Sequence, residues 1–143
     1  MIEDIFLTPN NIIKNPLGDI FHVMKSSSKG FFGFGEVYIS AINKNKIKGW
    51  KRHNQIYINL TVITGCAKFV VYDERENSCS KGEINSYLLG PTVDYSRLSI
   101  PPGLWVAFKG IEEENLILNV IPKEHDPNEA DNKPLNFLKF PEE

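Results

Sequence analysis

Apolar and polar residues alternate with a period of two through the middle of this chain, the spacing of strands that bury one face. Glu36-Val37-Tyr38-Ile39-Ser40 reads as a strand, after a stretch punctuated by Gly30, Gly33 and Gly35. Tyr57-Ile58-Asn59-Leu60-Thr61-Val62-Ile63 alternates and is rich in β-branched and aromatic residues. Gly65 ends it, and Lys68-Phe69-Val70-Val71-Tyr72 follows as a hairpin partner. Residues 73–82 form a polar loop. Residues 86–89 and 96–100 are further short strands, Pro101-Pro102-Gly103 is a turn, and residues 104–108 and 116–121 form the last pair. No segment sustains the 3.6-residue apolar period of a helix. Short strands at roughly 8–12-residue spacing, with Gly and Pro between them, predict an all-β barrel or sandwich.

The ends read differently. Pro9, Asn10, Asn11, Asn15, Pro16 and Gly18 predict an N-terminal arm with turns over about residues 1–18. From Pro122 the chain is polar and carries Pro127, Pro134 and Pro141, which predicts a wrapping tail over about 122–143. A length of 143 residues suits one domain, residues 1–143, with enough chain for a core that needs no staple.

Composition adds exclusions. With 41% hydrophobic and 24% charged residues the chain is ordinarily globular, so disorder is not expected. A formal net charge of −2 argues against a nucleic-acid partner, which would favour a basic excess. Cys66 and Cys79 are too few for a disulfide framework or a zinc site, and two reduced thiols are expected. Met1-Ile2-Glu3-Asp4-Ile5 has no basic start and no apolar core, and no apolar run reaches the ~20 residues of a membrane helix. A cytoplasmic protein with no membrane partner is the expectation.

One segment carries chemistry. In Lys48-Gly49-Trp50-Lys51-Arg52-His53, strand alternation puts Gly49, Lys51 and His53 on one face and Lys48, Trp50 and Arg52 on the other. If the first face points into a small barrel, a lysine and a histidine share a space that holds one small ligand. The alternative is an edge strand whose Lys44, Lys46, Lys48, Lys51 and Arg52 are solvated guards against aggregation. Two further patterns carry no chemistry. Gly30-x-x-Gly33-x-Gly35 lacks the strand-to-helix context of a phosphate loop, and Glu112-Glu113-Glu114 reads as a solvated hairpin turn.

The segment from Gly49 to His53 and on to Gly65, followed by Pro101-Pro102-Gly103-Leu104-Trp105-Val106-Ala107-Phe108, resembles the two cupin motifs. More narrowly it is similar to the dTDP-4-dehydrorhamnose 3,5-epimerase family, in a short subgroup reading Lys-Gly-Trp-Lys-x-His. His125-Asp126-Pro127-Asn128-Glu129 loosely matches a later Pro-x-Glu segment of that family. The resemblance spans about residues 18–135 and implies a cupin-type antiparallel jelly-roll barrel. It also implies a homodimer, with the arm, residues 1–40, pairing with the partner's sheet.

The departures are informative. Where metal-binding cupins place their ligands, this chain has Lys51, His53, Ile58 and Val106, so no metal and no other cofactor is expected. The family works as a proton-transfer machine with a His base, an orienting Asp and a Tyr acid. By the resemblance the base position is Lys51, the acid position falls near Leu118, and the orienting Asp belongs to a segment this chain lacks. A desolvated lysine can act as a base or form a Schiff base with a keto-sugar. It can equally hold a diphosphate or pair with Glu36. His53 is suited to acid–base work by its ordinary pKa, although His22, His53 and His125 have no partner visible in the sequence. Lys51 and His53 are thus the candidate catalytic residues. Lys48, Tyr57, Asn59, Arg97 and Trp105, with Tyr38, are candidate substrate contacts, Arg97 as a bidentate phosphate clamp and the aromatics as stacking surfaces. Two functions follow. One is an epimerase or isomerase acting on a dTDP-linked keto-sugar in surface-polysaccharide synthesis. The other is a non-catalytic module that binds a sugar nucleotide. Whether Lys51 and His53 converge in one enclosed pocket with a further acid separates them.

Overall fold

The computed structural model describes residues 1–142 and has the expected all-β jelly-roll architecture. Its strands are β1 (Phe6–Pro9), β2 (Ile12–Ile13), β3 (Ile20–Phe21), β4 (Glu36–Ala41), β5 (Ile47–His53) and β6 (Ile58–Thr64). They continue as β7 (Ala67–Tyr72), β8 (Ile84–Leu89), β9 (Ser96–Ile100), β10 (Trp105–Gly110), β11 (Leu116–Ile121) and β12 (Ala130–Asn132). Two five-stranded antiparallel sheets face each other, one ordered β1-β9-β6-β11-β4 and the other β12-β5-β10-β7-β8.

The period-two pattern decides which side chains fill the space between the sheets. Ile58, Leu60 and Val62 of β6, Leu98 and Ile100 of β9 and Ile117 and Ile121 of β11 point inward. They meet Phe69, Val71 and Val106 from the other sheet, and Ile2, Ile56 and Leu104 belong to the same core. The alternation that sends Ile58 and Leu60 inward sends Asn59 and Thr61 to the outer face of β6.

The two ends of the chain are better ordered than a loose arm and tail. β1 pairs with β9 of its own chain, Phe6 opposite Ser99 and Pro9 opposite Ser96. Arg97 then fastens the following segment, donating to Asn10 Oδ1 at 3.0 Å, Val23 O at 2.9 Å and Lys29 O at 3.0 Å. Within the single chain the arm therefore covers its own sheet. At the other end β12 adds to the edge of β5. Beyond it Phe137 and Phe140 pack on Trp50 and Trp105 on the outer face of the second sheet.

Asp73 secures the β7–β8 loop. It is fully buried and accepts from Arg75, Ser78 and Ser80. Burial alone would raise its pKa, but these bonds outweigh that and hold the carboxyl well below the usual range.

Candidate functional site

The inner faces of β4, β5, β6, β10, β11 and β12 enclose a cavity of about 250 Å³. That lies just below the range for drug-sized ligands. Its floor is apolar, from Ile58, Leu60, Val106, Phe108 and Ile117, and its polar groups come from Tyr38, Ser40, Lys48, Lys51, His53, Asn119 and Asn132.

A β-bulge explains the β5 contribution. Val106 pairs with Lys51 but Phe108 pairs with Lys48, so Ala107 alone faces both Gly49 and Trp50. The extra residue changes the parity of the strand. Lys48 and Lys51 both reach the cavity while Trp50, 1% exposed, turns outward into the aromatic cluster. This corrects the simple alternation that put Lys48 on the face opposite Lys51. Gly49 has φ +143°, and a Cβ there would lie 2.6 Å from Ala107 Cβ. Only glycine fits that position without a shift.

His53 is not alone. Its Nδ1 lies 2.7 Å from Glu129 Oε1, and Glu129 Oε2 accepts the backbone N–H of Asn54 at 2.7 Å and of Gln55 at 2.8 Å. Burial by itself would raise the Glu129 pKa, but the His53 contact and the two backbone donors outweigh it, so the group stays a carboxylate. A carboxylate cannot donate, so His53 Nδ1 carries the hydrogen and Nε2 is left as the acceptor. Burial lowers the pKa of His53, helped by the charges of Lys51 and His125 and opposed by Glu129. A neutral, oriented imidazole results, the form a general base requires. That Glu129 is the partner and orienting carboxylate of His53 was not visible in the sequence. His53 and Glu129 are 76 positions apart and meet only because β12 pairs Ala130 with His53.

Tyr38 enters the same space from the opposite sheet. Asn119 accepts the backbone N–H of Asn59 through Oδ1 at 2.9 Å, which fixes its amide, and its Nδ2 donates to the Tyr38 hydroxyl at 2.9 Å. The tyrosine oxygen is an acceptor there and its proton remains free. Burial raises its pKa, with the Asn119 hydrogen bond opposing and Glu36 adding to the rise, so Tyr38 is a neutral donor. Leu118, the expected acid position, faces away from the cavity. Its neighbour Asn119 and the cross-strand Tyr38 take that place.

The remaining sequence candidates divide. Lys51 and Lys48 line the cavity, Lys48 donating from Nζ to Ser40 Oγ at 3.2 Å and Ala41 O at 2.6 Å. Glu36 is not a lysine partner, because it accepts the backbone N–H of His125 at 2.8 Å. Tyr57, Asn59, Arg97 and Trp105 lie outside the cavity. Tyr57 tilts against Phe32 and donates to Asp4 O at 3.1 Å. Asn59 holds Gly30 O from the outer face of β6 at 3.0 Å. Arg97 has its donors in the arm. Trp105 sits outside the second sheet, donating to Glu74 at 2.9 Å beneath the Arg52 guanidinium. Asn59, Arg97 and Trp105 have the outward parity of their strands, and Tyr57 lies just before β6.

Among the described residues no cluster of three or more His, Cys, Asp or Glu side chains forms a metal-binding group. Ile58 and Val106 present only aliphatic carbon to the cavity. The arrangement can bind a sugar-sized polar ring, remove a proton with His53 and return one from Tyr38 on the other side.

Comparison with known proteins places this geometry in context. No family model matches the chain. A dTDP sugar isomerase from Desulfovibrio desulfuricans G20 superposes with a TM-score of 0.92 at 30% identity, over 98% of this chain and 91% of that one. QdtA, a sugar 3,4-ketoisomerase from Thermoanaerobacterium thermosaccharolyticum solved with TDP, superposes with a TM-score of 0.77 at 17% identity, over 92% of this chain and 89% of that one. At that identity the likeness is one of fold. The probable low-salt glycan biosynthesis epimerase Agl13 of Haloferax volcanii is 26% identical over 102 residues, 70% of this chain and 65% of that protein.

Proposed function

From the premise that the chain belongs to the dTDP-sugar epimerase and isomerase family of cupins, we propose that it isomerises or epimerises a dTDP-linked keto-sugar, with His53 as general base and Tyr38 as general acid. The observation that carries this reading is the His53–Glu129 pair opposite Tyr38 across one cavity. A binding module needs no oriented base, and an imidazole with one nitrogen fixed by a carboxylate and the other free is built for proton transfer.

In the reaction His53 Nε2 takes the proton from a sugar carbon beside the carbonyl. The C–H electron pair becomes a carbon–carbon double bond, and the carbonyl π pair moves to oxygen as an enolate. Tyr38 then delivers a proton to that carbon from the opposite face, inverting it. To move the carbonyl along the ring, the enolate oxygen instead takes the Tyr38 proton, the hydroxyl on the deprotonated carbon gives its proton back to Tyr38 as it becomes the new carbonyl, and His53 returns the first proton to the former carbonyl carbon. The cavity takes the sugar ring, and the nucleotide extends from its mouth. Lys48, braced by Ser40, stands at the site as a substrate contact. The resemblance points to surface-polysaccharide synthesis as the setting.

The test is incubation with dTDP-4-keto-6-deoxyglucose and related keto-sugars in D2O, followed by mass spectrometry. Deuterium uptake at carbon, abolished in His53→Ala, supports the enzyme. Binding without uptake favours the carrier reading.

The same reading takes the protein as a cytoplasmic homodimer, and its free cysteines suit that compartment. Val37 and Ile39 of the edge strand β4 lie beside Val120 and Leu118 of β11 on the face away from the cavity. Phe32 and Phe34, 60% and 65% exposed, precede β4 in the chain. Those two rings alone leave roughly 200–300 Å² of apolar surface in water, a large share of the largest patch on an ordinary monomer. A second copy related by a two-fold axis would cover both the patch and the unpaired edge.

A further inference from the structure

The turn that brings Glu129 to His53 has little apolar support of its own. Residues 123–128 before it are exposed throughout, tied down by the His125 N–H that donates to Glu36. It runs directly into β12, a three-residue edge strand with Asp131 and Asn132 exposed. An edge with few buried apolar contacts and exposed backbone hydrogen bonds opens readily. The apolar anchors of this segment lie further along the chain, and on the other side of the sheet.

The chain crosses the edge of β5 between Asn132 and Lys133. Asn132, opposite Lys51, still lines the cavity. Lys133 exchanges both backbone hydrogen bonds with Trp50, at 2.9 and 3.1 Å. Its ammonium is on the outer face, 4.0 Å from the centre of the Phe137 ring and 4.9 Å from that of Trp105. Phe137 packs against Trp50, Tyr72 and Trp105 with ring centroids 6.3, 6.2 and 5.3 Å apart. Trp50 Nε1 donates to Leu138 O at 3.1 Å and closes the loop back onto β5. The segment thus grips β5 from both sides, with Glu129 against His53 inside and Phe137 against Trp50 outside.

We propose that Phe137 and Trp50 are positioning residues for proton transfer: by clamping the C-terminal segment over the edge of β5 they hold Glu129, and through it the His53 imidazole, in place at the cavity. The inference rests on the reading of His53 as the base and Glu129 as its orienting carboxylate. Neither Phe137 nor Trp50 lines the cavity, so neither acts on substrate directly. The outer cluster is also separate from the main core between the sheets, so loosening it leaves the barrel packed. What it does reach is the path of the segment that ends at Glu129. The bonds from Glu129 to His53 and Asn54 are 2.7 Å long, and a small drift of its backbone breaks them.

The experiment takes the full chain with Phe137→Ala, Phe137→Leu and Trp50→Phe, each alone and combined with Glu129→Gln. Deuterium exchange into the keto-sugar gives kcat, calorimetry gives TDP affinity, and 1H–15N NMR follows the His53 Nδ1–H proton. Phe137→Ala should lower kcat by about 10–10²-fold, the loss that a misplacement of about 1 Å brings. TDP affinity should stay within about twofold, and in the Glu129→Gln background Phe137→Ala should change kcat by less than about twofold, because the group it acts through is already gone. Phe137→Leu keeps apolar contact and should recover part of kcat. Trp50→Phe removes the donor to Leu138 and should show the same dependence on Glu129. In each single variant of the clamp the His53 Nδ1–H should exchange with solvent faster than in wild type. Unchanged kcat in Phe137→Ala and Trp50→Phe, with Glu129→Gln impaired, overturns the inference and leaves the base reading standing. Losses that multiply with that of Glu129→Gln overturn it too, and assign the cluster to the fold alone. A wild type that exchanges nothing, or a Glu129→Gln protein with full kcat, overturns the orientation reading and this inference together.

Discussion

Replacing Glu129 by glutamine removes one negative charge and changes almost no volume. In the native site one oxygen accepts from His53 at 2.7 Å and the other from two backbone N–H groups at 2.7 and 2.8 Å. Glutamine has a single acceptor oxygen. Turned toward Asn54 and Gln55, it keeps two hydrogen bonds and presents its NH2 to His53 Nδ1. Turned the other way, it keeps one bond and points a donor at two donors. The first orientation wins, and it forces His53 into the tautomer with hydrogen on Nε2, which cannot accept a proton. The expected loss in kcat is about 10²–10⁴-fold, the range for a base held in the wrong tautomer. The two backbone bonds also lose their charge assistance. A charged hydrogen bond contributes about 1.5–3 kcal/mol and a neutral one about 0.5–1.5, so stability should fall by about 1–3 kcal/mol. The assays are steady-state deuterium exchange and urea denaturation of the same preparation. Glu129→Gln with kcat within about threefold of wild type would refute the orientation of His53 by Glu129. A drop in stability alone would then assign Glu129 to the fold.

Further expectations concern pH, the bulge and assembly. Burial lowers the pKa of His53 from the ordinary 6.5, so kcat/KM should rise with pH to a midpoint below 6.5 and be flat through neutrality; a midpoint at or above 6.5 would contradict this. Because Glu129 raises the His53 pKa, the midpoint should move lower still in Glu129→Gln. For stability, the unfolded chain binds the His53 proton more readily, so stability falls as pH drops below 6.5. The depressed Glu129 adds a further loss as pH falls below 4.5 toward its folded-state pKa, and calorimetric Tm against pH should show both. Gly49→Ala should cost about 1–3 kcal/mol in thermal unfolding, because the new Cβ meets Ala107 at 2.6 Å in a left-handed backbone; an unchanged Tm would contradict the close approach. Ile39→Glu, placed on the exposed face of β4, should convert a sedimenting dimer to monomer without loss of β-sheet circular dichroism. A wild type that is monomeric at micromolar concentration would reject the dimer.

The barrel was legible because burial writes itself into the strands. Residues 58–62 and 96–100 show which side faces the core, and Gly65 and Pro101-Pro102-Gly103 mark the turns. The pairing of β1 and β12 was not legible, since Phe6–Pro9 and Ala130–Asn132 are short edge strands with little apolar signal. For the site, Lys51 and His53 were readable from the parity of β5, and Tyr38 and Ser40 share the parity of β4. Lys48 was assigned to the wrong face because a bulge leaves no mark on alternation beyond Gly49. Glu129 was the largest gap. It sits after Asp126-Pro127, whose carboxylate accepts from Asn128 N to start a short 3-10 turn over Pro127–Glu129. That cap is a signal for local order, but nothing local says the turn will lie against β5. Asn59, Arg97 and Trp105 have the chemistry of a binding site and the parity of an outer face. In Arg97 and Trp105 that chemistry fastens the arm and the C-terminal segment.

The most direct measurement is a crystal structure with a dTDP-linked hexose bound. The account predicts the sugar ring inside the cavity, one ring carbon within about 3.5 Å of His53 Nε2, the Tyr38 hydroxyl on the opposite face, and the nucleotide outside the mouth. A sugar seated instead in the outer groove lined by Arg52, Glu74, Arg75 and Pro102, with His53 still bound to Glu129 and facing an empty cavity, would contradict it.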